Sequence, residues 1–519
     1  MAVPKFTNEP CVDFSRPANR KKQEAGLAKV RAELGKEYPL VIGTEKLMTD
    51  QKFTSTNPSR PSEVVGIFQK ANAELAKKAI EVAAATFEQW KHVPSKKRAQ
   101  YLFRAAAVMR KRRFELNAVE ILEVGKTWPE ADADVAEAID FLEFYAREML
   151  RYGVDHPVVK NPGENGKLVY IPLGVGVVIP PWNFPLAILA GMTSAAIVTG
   201  NTVVLKPSSD APWIGWKFLE IMEEVGLPAG VLNFVSGTGG EVGDTLVAYP
   251  KTRFVSFTGS KEVGIHINEL AARVQAGQIW LKRVVAEMGG KDSIIVDEGV
   301  NLEDAATGVL ASAYGFQGQK CSACSRVIVH EKIYDRFVDL LARKADALTV
   351  GDAADPNHYM GPVINRGAEE AIQGYIDRGI AEGGRLVAGG TRLEGDGYFL
   401  RPTVIADVLP KATIAQEEIF GPVLAVIKAR DFDEALHIAN NTEFGLTGAV
   451  YTKDRRRCAR AEKEFHVGNL YLNRKCTGAL VGVHPFGGFN MSGTDSKAGG
   501  RDYLLLFLQA KSIAEKIRK

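Results

Sequence analysis

The stretch GVGVVIPPWNFPLAILAGMTSAAIVTGNTVVLK, residues 174–206, decides the reading of the chain. Two short valine-rich runs, GVGVVI at 174–179 and NTVVLK at 201–206, flank an apolar segment long enough for one helix. Similar runs return at 231–235 (VLNFV) and 253–259 (RFVSFTG), with a helix-like segment from Trp213 to Val225 among them. Short apolar strands alternating with helices indicate an α/β fold with a parallel, doubly wound sheet. No charged residue occurs from Leu168 to Leu205, far beyond the roughly 20 residues that span a bilayer. Pro172, Pro180, Pro181, Asn183, Pro185, Gly191, Gly200 and Asn201 interrupt it, however. It therefore reads as buried strands and one helix joined by tight turns, not as a membrane span.

Working outward, the N-terminal third is expected to be helical. After Asn72, a possible cap, Ala76, Ile80, Ala83, Phe87 and Trp90 recur three or four apart with charges between them. A second alternating series follows Glu287, with strands near SRVIVHE, LAVIKA, GAVYT and GNLYLN and helices near 332–346, 367–381 and 432–441. The segment HPVVKNPGENGKLVYIPL, 156–173, reads as two extended runs around a Pro- and Gly-rich turn, a projecting hairpin. With the apolar run Leu504–Leu508, it suggests edge strands buried by oligomerisation.

Composition agrees with a globular protein of more than one core. The chain has 519 residues, 46% hydrophobic, and single cores stop growing at roughly 250 to 300 residues. Its 65 basic and 62 acidic residues nearly cancel, and the run Lys111, Arg112, Arg113 is as easily a solvated helix face, so nucleic acid is not an expected partner. Five cysteines, few and odd in number, argue against a disulfide framework and for a reducing compartment. The opening MAVPKFTNEP lacks the features of a secretory signal, and a cytoplasmic location is the expectation.

Three segments carry candidate chemistry. GFQGQKCSACSR, 315–326, sets Cys321 in a turn shortly before a strand. A free thiol is only a few per cent ionised at neutral pH, so a working nucleophile needs a base or a positive field, for which Lys320 is one source. Cys321 and Cys324 also form a lone C-x-x-C pair, but there is no second pair, and none of the eight histidines stands in an H-x-x-x-H arrangement. On cysteine spacing alone a packed structural thiol is the stronger reading. AEMGGKDS, 286–293, places Glu287 before two glycines; a carboxylate in such a turn, with its pKa raised, suits a general base, although a surface glutamate also fits. PPWNFP, 180–185, fixes Asn183 between prolines as a directed amide donor, able to stabilise an oxyanion if it faces Cys321.

Taken together, PWNFP, KPSS, FTGS, EMGGK, GQKCSACSR and EEIFGPV, in that order and nearly end to end, resemble the aldehyde dehydrogenase superfamily. The resemblance implies a Rossmann-type cofactor domain, a second α/β domain that is catalytic, and a small oligomerisation hairpin. The corresponding boundaries are 1–152 with 174–287 for the helical region and NAD-binding domain, 288–500 for the catalytic domain, and 153–173 with 501–519 for the hairpin and C-terminal strand. It implies Cys321 as nucleophile, Glu287 as base, and Asn183 with the Cys321 N–H as oxyanion hole. No metal is required. A homodimer or dimer-based oligomer is expected.

The spacing of GTGGEVG, 237–243, does not match a dinucleotide fingerprint, so the cofactor site also rests on the resemblance. It implies Trp182, Lys206, Gly239 and Ser260 along the adenosine and pyrophosphate path of NAD, and Glu418 and Phe420 at the nicotinamide ribose. The segment NRKCTGALVGVHPFGGFNMSGTDSKAGG, 473–500, resembles the branch that oxidises L-glutamate γ-semialdehyde, the open form of 1-pyrroline-5-carboxylate, to glutamate in proline breakdown. There Ser322, Gly478 and Ala479 would hold the α-carboxylate, Phe184 would cover the aliphatic stem, and Glu137 would face the ammonium; a solvated helix carboxylate is the plainer reading of Glu137. Another acidic semialdehyde, such as succinate semialdehyde, is the alternative substrate. Ser209 stands where strongly NAD-selective members often carry a glutamate, so nothing there repels a 2′-phosphate. NAD is expected to be preferred and NADP tolerated; steady-state kinetics with no turnover at saturating NADP would refute the tolerance.

Overall fold

The computed structural model describes residues 3–517, so the ends of the expected terminal segments, 1–2 and 518–519, lie outside the described residues. The stretch that opened the analysis folds as read: strand Val175–Ile179, helix Ala187–Val198 and strand Thr202–Leu205. Every residue of the two strands except Ile179 is buried, as expected for a parallel sheet covered on both faces. The sheet runs Arg283–Glu287, Thr252–Thr258, Val175–Ile179, Thr202–Leu205, Leu232–Phe234, all parallel, and is extended by Leu40–Ile42 and Glu45–Leu47 antiparallel. Strand order reverses between Val175–Ile179 and Thr252–Thr258, a topological switch point where α/β proteins place their ligands. Among the described residues, no helix is long and apolar enough to cross a membrane.

Asn72 caps the helix Ala73–Trp90 by accepting the Leu75 N–H, and Ala76, Ile80, Ala83 and Trp90 are buried beneath it. Helices Ser95–Val124 and Trp128–Tyr152 follow. The expectation of a helical N-terminal third is corrected at residues 37–69, which form five strands from Glu37–Tyr38 to Arg60–Gln69. The physical reason is local: Thr54, Thr56, Val64, Val65 and Ile67 are β-branched, and Asn57 and Pro58 supply the turn between the two longest strands.

The second sheet runs Arg385–Ala388, Thr403–Ala406, Val423–Ala429, Arg326–His330, Ser293–Val296, Thr447–Tyr451, Asn469–Leu472, parallel except at Arg385–Ala388. Helices Tyr334–Asp346, Arg366–Ala381 and Phe432–Asn440 lie in the segments expected to be helical. A three-stranded sheet joins His156–Pro157, Glu164–Pro172 and Leu508–Lys516. Leu504–Leu508 is not an edge strand as expected: Tyr503–Phe507 is a 3-10 turn whose Leu504 and Phe507 are fully buried in the first core, and the strand begins only at Leu508.

Asn201 ties these pieces together. Its side-chain oxygen accepts the N–H groups of Leu173 and Gly174, both at 2.8 Å, and its amide donates to the Phe507 carbonyl at 2.9 Å and to Thr199 Oγ1 at 2.9 Å. Removing it leaves buried donors and a buried acceptor unpaired, each costing about 1 to 3 kcal/mol. Asn201→Ala is expected to lower stability by about 3 to 5 kcal/mol in equilibrium urea unfolding.

Candidate active site

The carboxyl ends of the first sheet's parallel strands collect the sequence candidates along one edge. Glu287 ends its strand, Lys206 follows Leu205, and Trp182 and Asn183 follow Val175–Ile179. Ser260 follows Thr252–Thr258 and caps the helix Lys261–Ala272 by accepting the Val263 N–H at 3.3 Å. The helix start adjoins the switch point, where backbone N–H groups suit a pyrophosphate. Gly239, past Leu232–Phe234, is exposed, and a Cβ there would meet open space. Lys206 is buried, with its pKa pushed down to about 8 by that burial, and its single hydrogen bond is a long one, 3.4 Å, to the Pro207 carbonyl. A desolvated ammonium with donors to spare fits ribose hydroxyls. Ser209 is exposed.

The run into Cys321 carries backbone strain. Phe316 and Gln317 have φ of 48° and 57°, a left-handed conformation that is costly for residues other than glycine. Gln317 Nε2 donates to the carbonyls of Gly125 at 3.1 Å and Pro362 at 2.7 Å, and Gln319 Oε1 accepts the Ile364 N–H at 2.9 Å, which over-determine the turn. Asn183 is buried, and its Nδ2 donates to the Gln319 carbonyl at 3.1 Å, leaving its second N–H free beside the residues that lead into Cys321. Two sequence candidates far apart in the chain are thereby brought together.

Glu287 reaches the same place from the first sheet. Its Oε1 accepts from Ser496 Oγ at 2.5 Å, its Oε2 is buried with no hydrogen-bond partner, and burial pushes its pKa up to about 8. Glu418 Oε1 accepts the Gly290 N–H at 2.9 Å, and burial raises that carboxyl to about 7. Phe420, also left-handed at φ 57°, meets Trp182 edge to face at 5.5 Å between ring centroids. Cys321 is half-buried, and burial together with the charges of Asp292, Glu418 and Glu287 holds its thiol well above the usual range, while the Ser322 N–H favours the thiolate. Lys320 does not supply the field: it pairs with Glu130 at 2.7 Å. Cys324 is no disulfide partner, since all five cysteines are free and its thiol donates to the Arg326 carbonyl at 3.2 Å.

The candidate substrate residues differ in exposure. Ser322 is buried, Gly478 is left-handed at φ 78° and exposed, and Ala479 is half-buried. Phe184 is half-buried. Glu137 is half-buried rather than solvated, and desolvation raises its pKa to about 8. Sequence reasoning missed Ser496, Glu130 and Lys126. The Glu130 helix start, TWPEADADV, has the acidic first turn expected of a solvated helix end, and no spacing rule links Ser496 to a glutamate 209 positions earlier.

Comparison with known proteins gives one answer. A model of the aldehyde dehydrogenase family matches residues 47–513. A 1-pyrroline-5-carboxylate dehydrogenase of Geobacillus sp. (strain WCH70) is 58% identical over 513 residues, 99% of each chain. A Thermus 1-pyrroline-5-carboxylate dehydrogenase solved with bound NAD superposes with a TM-score of 0.98 at 52% identity, all of each chain covered. Proline utilization A from Bdellovibrio bacteriovorus has a TM-score of 0.98 at 45% identity, over all of this chain and 54% of the other. On the family match and this identity over nearly its full length, the chain belongs to the aldehyde dehydrogenase family.

Proposed function

We propose that this enzyme oxidises L-glutamate γ-semialdehyde, the open form of 1-pyrroline-5-carboxylate, to L-glutamate with NAD, as a step of proline degradation. The observation that carries the chemistry is the Asn183–Gln319 hydrogen bond, which sets an amide donor beside the nucleophile turn. The substrate is supported by the relatives that carry that activity in their names at 52% to 58% identity. Lys206, Gly239, Ser260 and Trp182, with Glu418 and Phe420, are the residues to hold NAD, and Ser209 admits NADP beside it.

The Cys321 thiol gives its proton to solvent, and its sulfur attacks the aldehyde carbon, forming a C–S bond as the carbonyl π bond opens onto the oxygen, which Asn183 Nδ2 and the Cys321 N–H bind as it becomes negative. NAD supplies the acceptor for the hydride that leaves the same carbon. Glu287, the only one of these groups with a free buried carboxylate oxygen, then takes a proton from water, and the resulting attack breaks the C–S bond and releases the acid. Ser322, Gly478 and Ala479 bind the α-carboxylate, Phe184 lines the stem and Glu137 faces the ammonium. A site built for that carboxylate rejects a plain aldehyde because its polar groups are left unpaired.

The proposal includes the domain division given by the sequence, a cytoplasmic setting and a homodimer or dimer-based oligomer. Five free cysteines support the reducing compartment. The exposed hairpin, which presents Val158, Val159 and Ile171 to solvent with Val159 at 95% exposure, supports the oligomer.

NAD reduction is expected to be fast with 1-pyrroline-5-carboxylate and poor with hexanal and succinate semialdehyde, and to vanish in Cys321→Ala; equal efficiency for hexanal would sink the substrate assignment. Because Glu287 acts in its ionised form and is held near pH 8, turnover should rise with pH through that value. In Glu287→Gln this limb should disappear and steady turnover fall by roughly 10²- to 10⁴-fold, with the first burst of NADH retained in stopped-flow.

A further inference from the structure

Lys126 is fully buried in the turn between helices Ser95–Val124 and Trp128–Tyr152, and the mechanism above does not use it. It pairs with two carboxylates that are equally buried, Asp134 and Glu120, the latter at 3.3 Å. On its other side, its Nζ lies 4.4 Å from the ring centroid of Phe184 and 5.1 Å from that of Phe316. Phe184 follows Asn183 directly, and Phe316 is the first left-handed residue of the run into Cys321. Asp134, the ion-pair partner, also accepts the N–H of Ala187 at 2.6 Å, at the start of the helix that follows the Asn183 turn. The preceding residue, Gly125, offers its carbonyl to Gln317. One cation therefore touches both turns that must meet for reaction, through two ring faces and one carboxylate.

We propose that Lys126 is a positioning residue that sets the Asn183 donor against Cys321 by holding the rings of Phe184 and Phe316. A cation–π contact is worth more when both partners are desolvated, as here, and its geometry is specific, so one charge fixes two rings relative to each other. An ordinary structural ion pair has no need of the rings. The inference rests on the reading of Cys321 as nucleophile and Asn183 as oxyanion donor, and its test separates the two.

The test is a double-mutant cycle on the full-length enzyme. Lys126→Met with Asp134→Asn removes one positive and one negative charge together and keeps an acceptor for the Ala187 N–H. This pair is expected to retain its fold by circular dichroism and its affinity for NAD, and to lower kcat by about 10- to 100-fold, the scale of a misplacement near 1 Å. In an Asn183→Ala background the same pair should cost less than about threefold, because the geometry it protects is no longer used. Equal losses in both backgrounds, or no loss in either, overturn the inference while leaving the mechanism standing. An Asn183→Ala enzyme with unchanged kcat overturns the oxyanion reading and this inference with it. Should the charge pair fail to fold, Phe316→Leu, which leaves the buried ions in place, is carried through the same cycle with the same expected outcomes.

Discussion

The site depends on one close approach between backbones. A Cβ on Gly290 would lie 2.4 Å from the Cys321 carbonyl oxygen, and one on Gly289 would lie 2.2 Å from Glu418 Oε2. The turn leaving the first sheet is thus pressed against the Cys321 loop of the second, with no room for a single methyl group. Cys321 and Glu287 come from different sheets, and this contact sets their separation. The Gly290 N–H, donated to Glu418, extends the contact to the segment carrying Phe420.

Around that contact the protein keeps its ionisable groups short of water and of partners. Glu287, Glu418 and Cys321 are all shifted upward chiefly by burial, and Lys206 downward by the same cause. Desolvation disfavours the charged form of each. The strained residues Phe316, Gln317 and Phe420 lie in the same region, where backbone strain is held by surrounding hydrogen bonds rather than relaxed.

Much of this was legible in the sequence, and the rest was hidden for physical reasons. The valine runs at 174–179 and 201–206 announce buried parallel strands because a strand covered on both faces must be apolar throughout. The strands at 37–69 were missed because partial exposure gives them a mixed pattern, as the Lys52–Asn57 strand shows with buried and exposed positions interleaved. The 3-10 turn at Tyr503–Phe507 was misread because a short, fully apolar run has no period to separate strand from helix. At the site, Asn183, Glu287 and Cys321 stand out through the prolines, glycines and turns beside them. Ser496, Glu130 and Lys126 do not, because their partners lie in distant segments and only folding supplies the pairing.

The small three-stranded sheet has a consequence for how the chain is made. Strand Glu164–Pro172 pairs along its whole length with Leu508–Lys516, about 344 positions later. At roughly 5 to 20 residues per second, the ribosome needs about 17 to 70 seconds to deliver the partner. Throughout that interval an unpaired strand bearing exposed Ile171, next to the exposed Val158 and Val159, is open to other chains. The Asn201 amide likewise waits for the Phe507 carbonyl. Nascent copies on one message thus share a period of mutual stickiness that ends only when the last strand arrives, and a pause late in translation would lengthen it.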